Sequence, residues 1–123
     1  MSRFQRSVIF GAVLLVSASV AGAVYASGAY AHPAAATKSL KVVEVSGKYA
    51  FKAKNITVSA GTKVIWKNTT DAAHTVTTTG HPPATFNRQL ATGKAVSVTF
   101  SKKGTYHYFC AIHPYMKGTV VVK

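Results

Sequence analysis

Tyr106-His107-Tyr108-Phe109-Cys110-Ala111-Ile112-His113-Pro114-Tyr115-Met116-Lys117-Gly118 contains the chain's one cysteine and its only methionine besides Met1. The spacing is C-x-x-H-x-x-M, so a thiol, an imidazole and a thioether follow one another on a single short loop. The residues before the loop alternate as a strand does. Tyr106 and Tyr108 fall on the face of Cys110 and are expected in the core, whereas His107 and Phe109 fall on the opposite face. His107 is therefore expected on the surface, as is His81 in its Gly-His-Pro-Pro loop.

Moving back along the chain, nearly every apolar stretch has strand character. Leu40 to Val45, Tyr49 to Phe51, Ile56 to Val58, Val64 to Trp66, His74 to Thr78, Ala95 to Phe100, Thr105 to Phe109 and Thr119 to Val122 are short, β-branched or aromatic, and separated by turn residues. In one of them Val96, Val98 and Phe100 alternate with Ala95, Ser97 and Thr99, the pattern of a half-buried antiparallel strand. No stretch after Lys38 has helical periodicity. The expected fold is all-β, a Greek-key β-sandwich of seven to eight strands over residues 40–123. The segment from Thr79 to Gly93, with Gly80, Pro82 and Pro83, is expected to be poor in strand, and Trp66 is expected in the core.

The other end of the chain reads differently. Arg3 and Arg6 precede an uncharged run through Val8-Ile9-Phe10 and Val13-Leu14-Leu15-Val16 into small residues, the layout of a secretory signal peptide over residues 1–31. Cleavage is expected after Ala26 or Ala31. An uncleaved membrane anchor is the alternative, because no fixed charge falls between Ser7 and Thr37. Residues 32–39 read as a flexible lead into the domain. Export implies a periplasmic protein, and in an oxidising compartment a lone thiol is a liability that a bound metal would protect.

The charge is one-sided, with fifteen Lys and Arg against Glu44 and Asp71 alone. Loss of Arg3 and Arg6 with the signal leaves thirteen basic residues against two acidic ones, a net charge of +11. Such a field favours acidic partners. Nucleic acid is the weakest of the partner classes such a field could serve, given export and lysines scattered between strands without a binding motif, and none is expected. Two carboxylates in the whole chain leave no pair for acid/base catalysis, which argues against an enzyme.

Cys110, His113 and Met116 suit a particular metal. Copper that alternates between Cu(I) and Cu(II) takes two imidazoles and a thiolate in a plane with a distant thioether, and the loop supplies three of these four donors. The remaining imidazole has to come from a strand end elsewhere. His74, which opens His74-Thr75-Val76-Thr77 after a turn containing Asp71, is the best candidate. A thioether is a poor zinc ligand, so Met116 argues against a structural zinc site.

The pattern of Gly61, Val64, Trp66, Asn68, His74, Phe86, Gly93, Phe100, Gly104, Tyr106, Tyr108, Cys110, His113, Met116, Gly118 and Val120 resembles the blue copper proteins of the plastocyanin and amicyanin group, within the cupredoxin superfamily. The two-residue gap between His113 and Met116 resembles amicyanin. The resemblance implies a cupredoxin fold, one type 1 copper ion, and one-electron transfer between larger redox proteins by a monomer. It implies His74, Cys110 and His113 as equatorial ligands and Met116 as the axial one. It also implies Asn68 and Thr75 next to the site, and a port for the electron at His113 with Ile112, Pro114 and Tyr115. Two positions depart from the family pattern: Ala73 where Pro is usual and Thr75 where Asn is usual, so Thr75 either ties the strand to the ligand loop through its hydroxyl or leaves that task undone. A copper-binding or copper-delivery module without an electron-carrier role is the alternative function.

Overall fold

A computed structural model describes residues 34–123. The signal or anchor segment expected over residues 1–31, with the start of the lead, lies outside the described residues. Among the described residues there are nine strands and no helix: β1 (Thr37–Val45), β2 (Lys48–Lys52), β3 (Asn55–Val58), β4 (Thr62–Asn68), β5 (His74–Thr79), β6 (Asn87–Leu90), β7 (Ala95–Phe100), β8 (Gly104–Phe109) and β9 (Lys117–Val122). They form a sandwich of a four-stranded sheet, β2-β1-β4-β7, and a five-stranded sheet, β3-β9-β8-β5-β6.

Two expectations are corrected. The strand count is nine, because β6 forms inside the segment expected to be strand-poor. Asn87, Arg88 and Gln89 have no β preference of their own. Cross-strand pairing makes the strand, with His74 opposite Leu90 and Val76 opposite Arg88. The lead is shorter than 32–39, since β1 starts at Thr37 in parallel register with β4, Thr37 beside Lys63. Both sheets are mixed: β1 runs parallel to β4 and β3 parallel to β9, while the other pairs are antiparallel.

The facing sides of the sheets carry the core. Trp66, Val42, Val64, Val76, Leu90 and Val120 are fully buried, as expected for Trp66. Tyr108 sits at the centre of an aromatic cluster, edge-on to Phe51 at 4.8 Å and to Trp66 at 5.4 Å, and Phe100 meets Tyr106 at 4.8 Å. The Trp66 indole N–H donates to the Tyr108 hydroxyl at 3.1 Å, which satisfies the one polar atom of each buried ring. Gly118 lies directly opposite Tyr108, and a Cβ there would collide with the tyrosine ring, so only glycine admits Tyr108 beneath the ligand loop.

Burial pushes the Tyr108 phenol up to about 12, against a smaller opposing effect of the Trp66 hydrogen bond. Because the folded-state value lies above the unfolded one, the associated stability is intact below pH ~10 and is lost as pH rises toward ~12. Tyr108→Phe is expected to flatten the fall in stability over that window, measured as the urea midpoint against pH.

Candidate metal centre

The register of the five-stranded sheet gathers the site. β5 begins at His74, β8 ends one residue before Cys110, and β9 begins one residue after Met116. Both β5 and β9 run antiparallel to β8, so these three strand ends meet at one end of the sandwich. The loop between β8 and β9 is closed by its own backbone. Met116 N–H donates to His113 C=O at 2.9 Å, and Cys110 N–H to Met116 C=O at 3.0 Å.

His74, Cys110 and His113 converge there. Cys110 Sγ lies 3.8 Å from Nδ1 of His74 and 3.8 Å from Nδ1 of His113, and the two Nδ1 atoms are 3.1 Å apart. The point equidistant from the three atoms is about 2.1 Å from each, close to the length of a metal bond to imidazole or thiolate. A thiol with two imidazoles in a plane is a donor set that fits copper. Met116 is buried at the end of the same loop, while His74 and Cys110 are sealed from solvent and His113 is half-buried. His81 and His107 lie outside this group; both are exposed, and His107 is within 3.1 Å of the Thr119 hydroxyl.

The thiol is held by backbone donors. Thr75 N–H points at Cys110 Sγ from 3.3 Å and His113 N–H from 3.4 Å. The Thr75 hydroxyl accepts from Ala111 N–H at 2.7 Å, so it does tie β5 to the ligand loop. Thr75→Val removes that acceptor and leaves the backbone bond to sulfur. It is expected to cost about 1–2 kcal/mol in a urea unfolding curve of the metal-free protein, with the thiolate's environment retained.

His74 is fixed from behind. With Nδ1 turned to the site, Nε2–H donates to Thr70 Oγ1 at 2.8 Å, and Thr70 Oγ1–H donates to Asn68 Oδ1 at 2.7 Å. Asn68 Nδ2 in turn donates to the carbonyls of Ala72 at 2.6 Å and Leu90 at 3.2 Å, and Oδ1 also accepts from Thr70 N–H. This chain sets the tautomer that leaves Nδ1 free for a metal. Burial, then the neighbouring His113, lower the His74 pKa below its ordinary value, with Asp71 opposing; the neutral ring is the form that ligates.

Two residues of the site had no reading in the sequence. Thr70 is one; its cue was the Asn68-Thr69-Thr70 turn, in which an Asn side chain accepts from the N–H two residues on. Tyr49 is the other, and it comes from β2 with no spacing cue at all. Its ring packs against both histidines, at 4.8 Å from His74 and 4.9 Å from His113. Its hydroxyl donates to Asp71 Oδ1 at 2.9 Å, and that bond holds the phenol above its ordinary value. At the surface, Ile112 and Tyr115 are about half exposed, Pro114 is exposed and His113 is half-buried.

Residues 38–123 match the model of copper binding proteins of the plastocyanin/azurin family. The chain is similar to amicyanin-alpha of Methylorubrum extorquens, 33% identical over 97% of this chain and all of that one. Among solved structures it resembles amicyanin from Paracoccus versutus (27% identity, 76% of this chain and 86% of that one, TM-score 0.61). It also resembles the purple cupredoxin of Nitrosopumilus maritimus, with 26% identity over 70% of this chain and 99% of that one and a TM-score of 0.61. The chain therefore belongs to the plastocyanin/azurin family of copper-binding cupredoxins, and its cofactor is copper.

Proposed function

We propose that the protein is an exported one-electron carrier in which His74, Cys110, His113 and Met116 would hold a copper ion. The observation that carries this reading is the triangle of donor atoms, 3.8, 3.8 and 3.1 Å on its sides, built from a sealed strand end and a backbone-locked loop. Bound copper supplies the one-electron couple. The residues supply a frame that has little freedom to move between oxidation states: Thr75 and His113 N–H groups fix the sulfur, and Thr70 and Asn68 fix the His74 ring. His113, half-buried and flanked in the chain by the exposed Ile112, Pro114 and Tyr115, offers the short route from site to partner.

Charge supports an acidic redox partner. Lys41 on β1 lies directly opposite Lys52 on β2 and beside Lys67 on β4, so three exposed lysines form one row across three strands. Like charges so paired repel, a cost that an acidic docking surface would offset. Electron exchange with such a partner should slow steeply as salt rises; a flat dependence would remove the acidic-partner reading. Two carboxylates support a carrier over an enzyme. Export to the periplasm as a monomer is part of the proposal, supported by Arg3, Arg6 and the apolar run after them. Cell fractionation with the mass of the mature chain tests it.

Cyclic voltammetry of the copper-loaded protein tests the carrier itself. Fast, reversible one-electron cycling is expected. Slow redox with tight Cu(I) retention would instead mark a copper-delivery module.

A further inference from the structure

The hairpin joining β1 and β2 ends beside the metal centre, and its geometry is stiff. Ser46 and Gly47 both have positive φ, 50° and 75°, as a tight two-residue hairpin turn requires. Val45 pairs with Lys48 and Glu44 with Tyr49, so the turn fixes where Tyr49 stands. From there Tyr49 touches both segments that bring imidazoles to the site. Its hydroxyl donates to Asp71, in the loop that presents Thr70 to His74 Nε2. Its backbone N–H donates to the Tyr115 hydroxyl at 3.2 Å, in the loop that carries His113. Its ring stands edge-on against both imidazoles, 71° to one and 61° to the other. Asp71 is one of only two acidic residues in the chain, and it is spent on this contact.

We infer that Tyr49 is a positioning residue that sets the spacing of His74 and His113, with Asp71 and Tyr115 holding it in place. The inference rests on the copper-carrier reading and adds to it a residue that does not touch the ion. The two imidazoles come from segments far apart in sequence, one on a strand and one on an irregular loop. Thr70 grips the first ring by a hydrogen bond. Tyr49 packs on both at once, so it couples their orientations.

The test uses the full chain loaded with Cu(II), as wild type, Tyr49→Ala, Tyr49→Leu and Tyr49→Phe. The readouts are the visible and electron paramagnetic resonance spectra, the midpoint potential, and the rate of copper loss to excess EDTA. Near-ultraviolet circular dichroism of the metal-free forms reports the fold. Tyr49→Ala is expected to lose copper about tenfold faster, the scale seen when a group supporting a metal ligand is removed. Its spectrum and potential should move as well. Tyr49→Phe keeps the ring and should restore the wild-type spectrum, with an intermediate release rate because the Asp71 bond is gone. If Tyr49→Ala does not fold, Tyr49→Leu, which fills the space without an aromatic edge, must show the same changes. Blue wild type beside an alanine or leucine variant of unchanged spectrum, potential and release rate overturns the inference alone. Wild type that takes up copper without the visible band overturns the carrier reading and this inference with it.

Discussion

Cys110→Ser is expected to abolish the visible absorption of the copper-loaded protein while leaving the sandwich folded. The colour of a type 1 centre comes from charge transfer between thiolate sulfur and copper, and this chain has one thiol. A serine hydroxyl does not ionise near neutral pH and is a hard donor, so it supplies neither the transition nor a soft ligand for Cu(I). The hydroxyl is close to the thiol in size and can still accept from the N–H groups of Thr75 and His113, which point at Sγ from 3.3 and 3.4 Å. The metal-free variant should therefore lose no more than about 1–2 kcal/mol in a urea unfolding curve. An absorption spectrum after copper loading checks the first part and the unfolding midpoint the second. A variant that stays blue would remove Cys110 from the ligand set.

Asn68→Leu is expected to be the most damaging substitution for the fold near the site. Asn68 is fully buried, and its side chain serves four groups: the carbonyls of Ala72 and Leu90, and the N–H and hydroxyl of Thr70. Among the described residues no buried side-chain polar atom is without a partner, and leucine at this position would orphan several at once. Each such loss costs about 1–3 kcal/mol, so the variant should lose at least about 3 kcal/mol. That is a large share of the stability of a domain this size, which is typically about 5–15 kcal/mol. The urea midpoint of the metal-free protein, with unchanged slope, checks it. Thr70 would also lose the acceptor that orients its hydroxyl toward His74 Nε2, so any folded fraction should bind copper more weakly.

The centre of this molecule was legible because its chemistry is local. Cys110, His113 and Met116 stand within one loop, and their donor types suit copper before any fold is known. His74 could be added because a strand start after a turn is where a remote ligand has to stand, and the structure places it 3.8 Å from the sulfur. Whether Thr75 ties the strand to the ligand loop was open in the sequence, and the structure decides it, since its hydroxyl meets Ala111 N–H. What escaped the sequence depends on contacts between distant segments. Asn87, Arg88 and Gln89 become a strand only because β5 offers them a partner. Thr37 joins β1 because β4 runs beside it. Tyr49 looks like any half-buried strand tyrosine until the sandwich closes and sets its ring against two histidines.

The central claim is that His74, Cys110, His113 and Met116 form a type 1 copper centre that passes single electrons. Absorption and electron paramagnetic resonance spectra of the copper-loaded protein, before and after addition of a reductant, test it most directly. The predicted result is an intense visible band with the narrow copper hyperfine splitting of a thiolate-bound site, both vanishing on reduction and returning on reoxidation. Weak absorption with the broad splitting of ordinary tetragonal copper, or a signal indifferent to reductant, would contradict it.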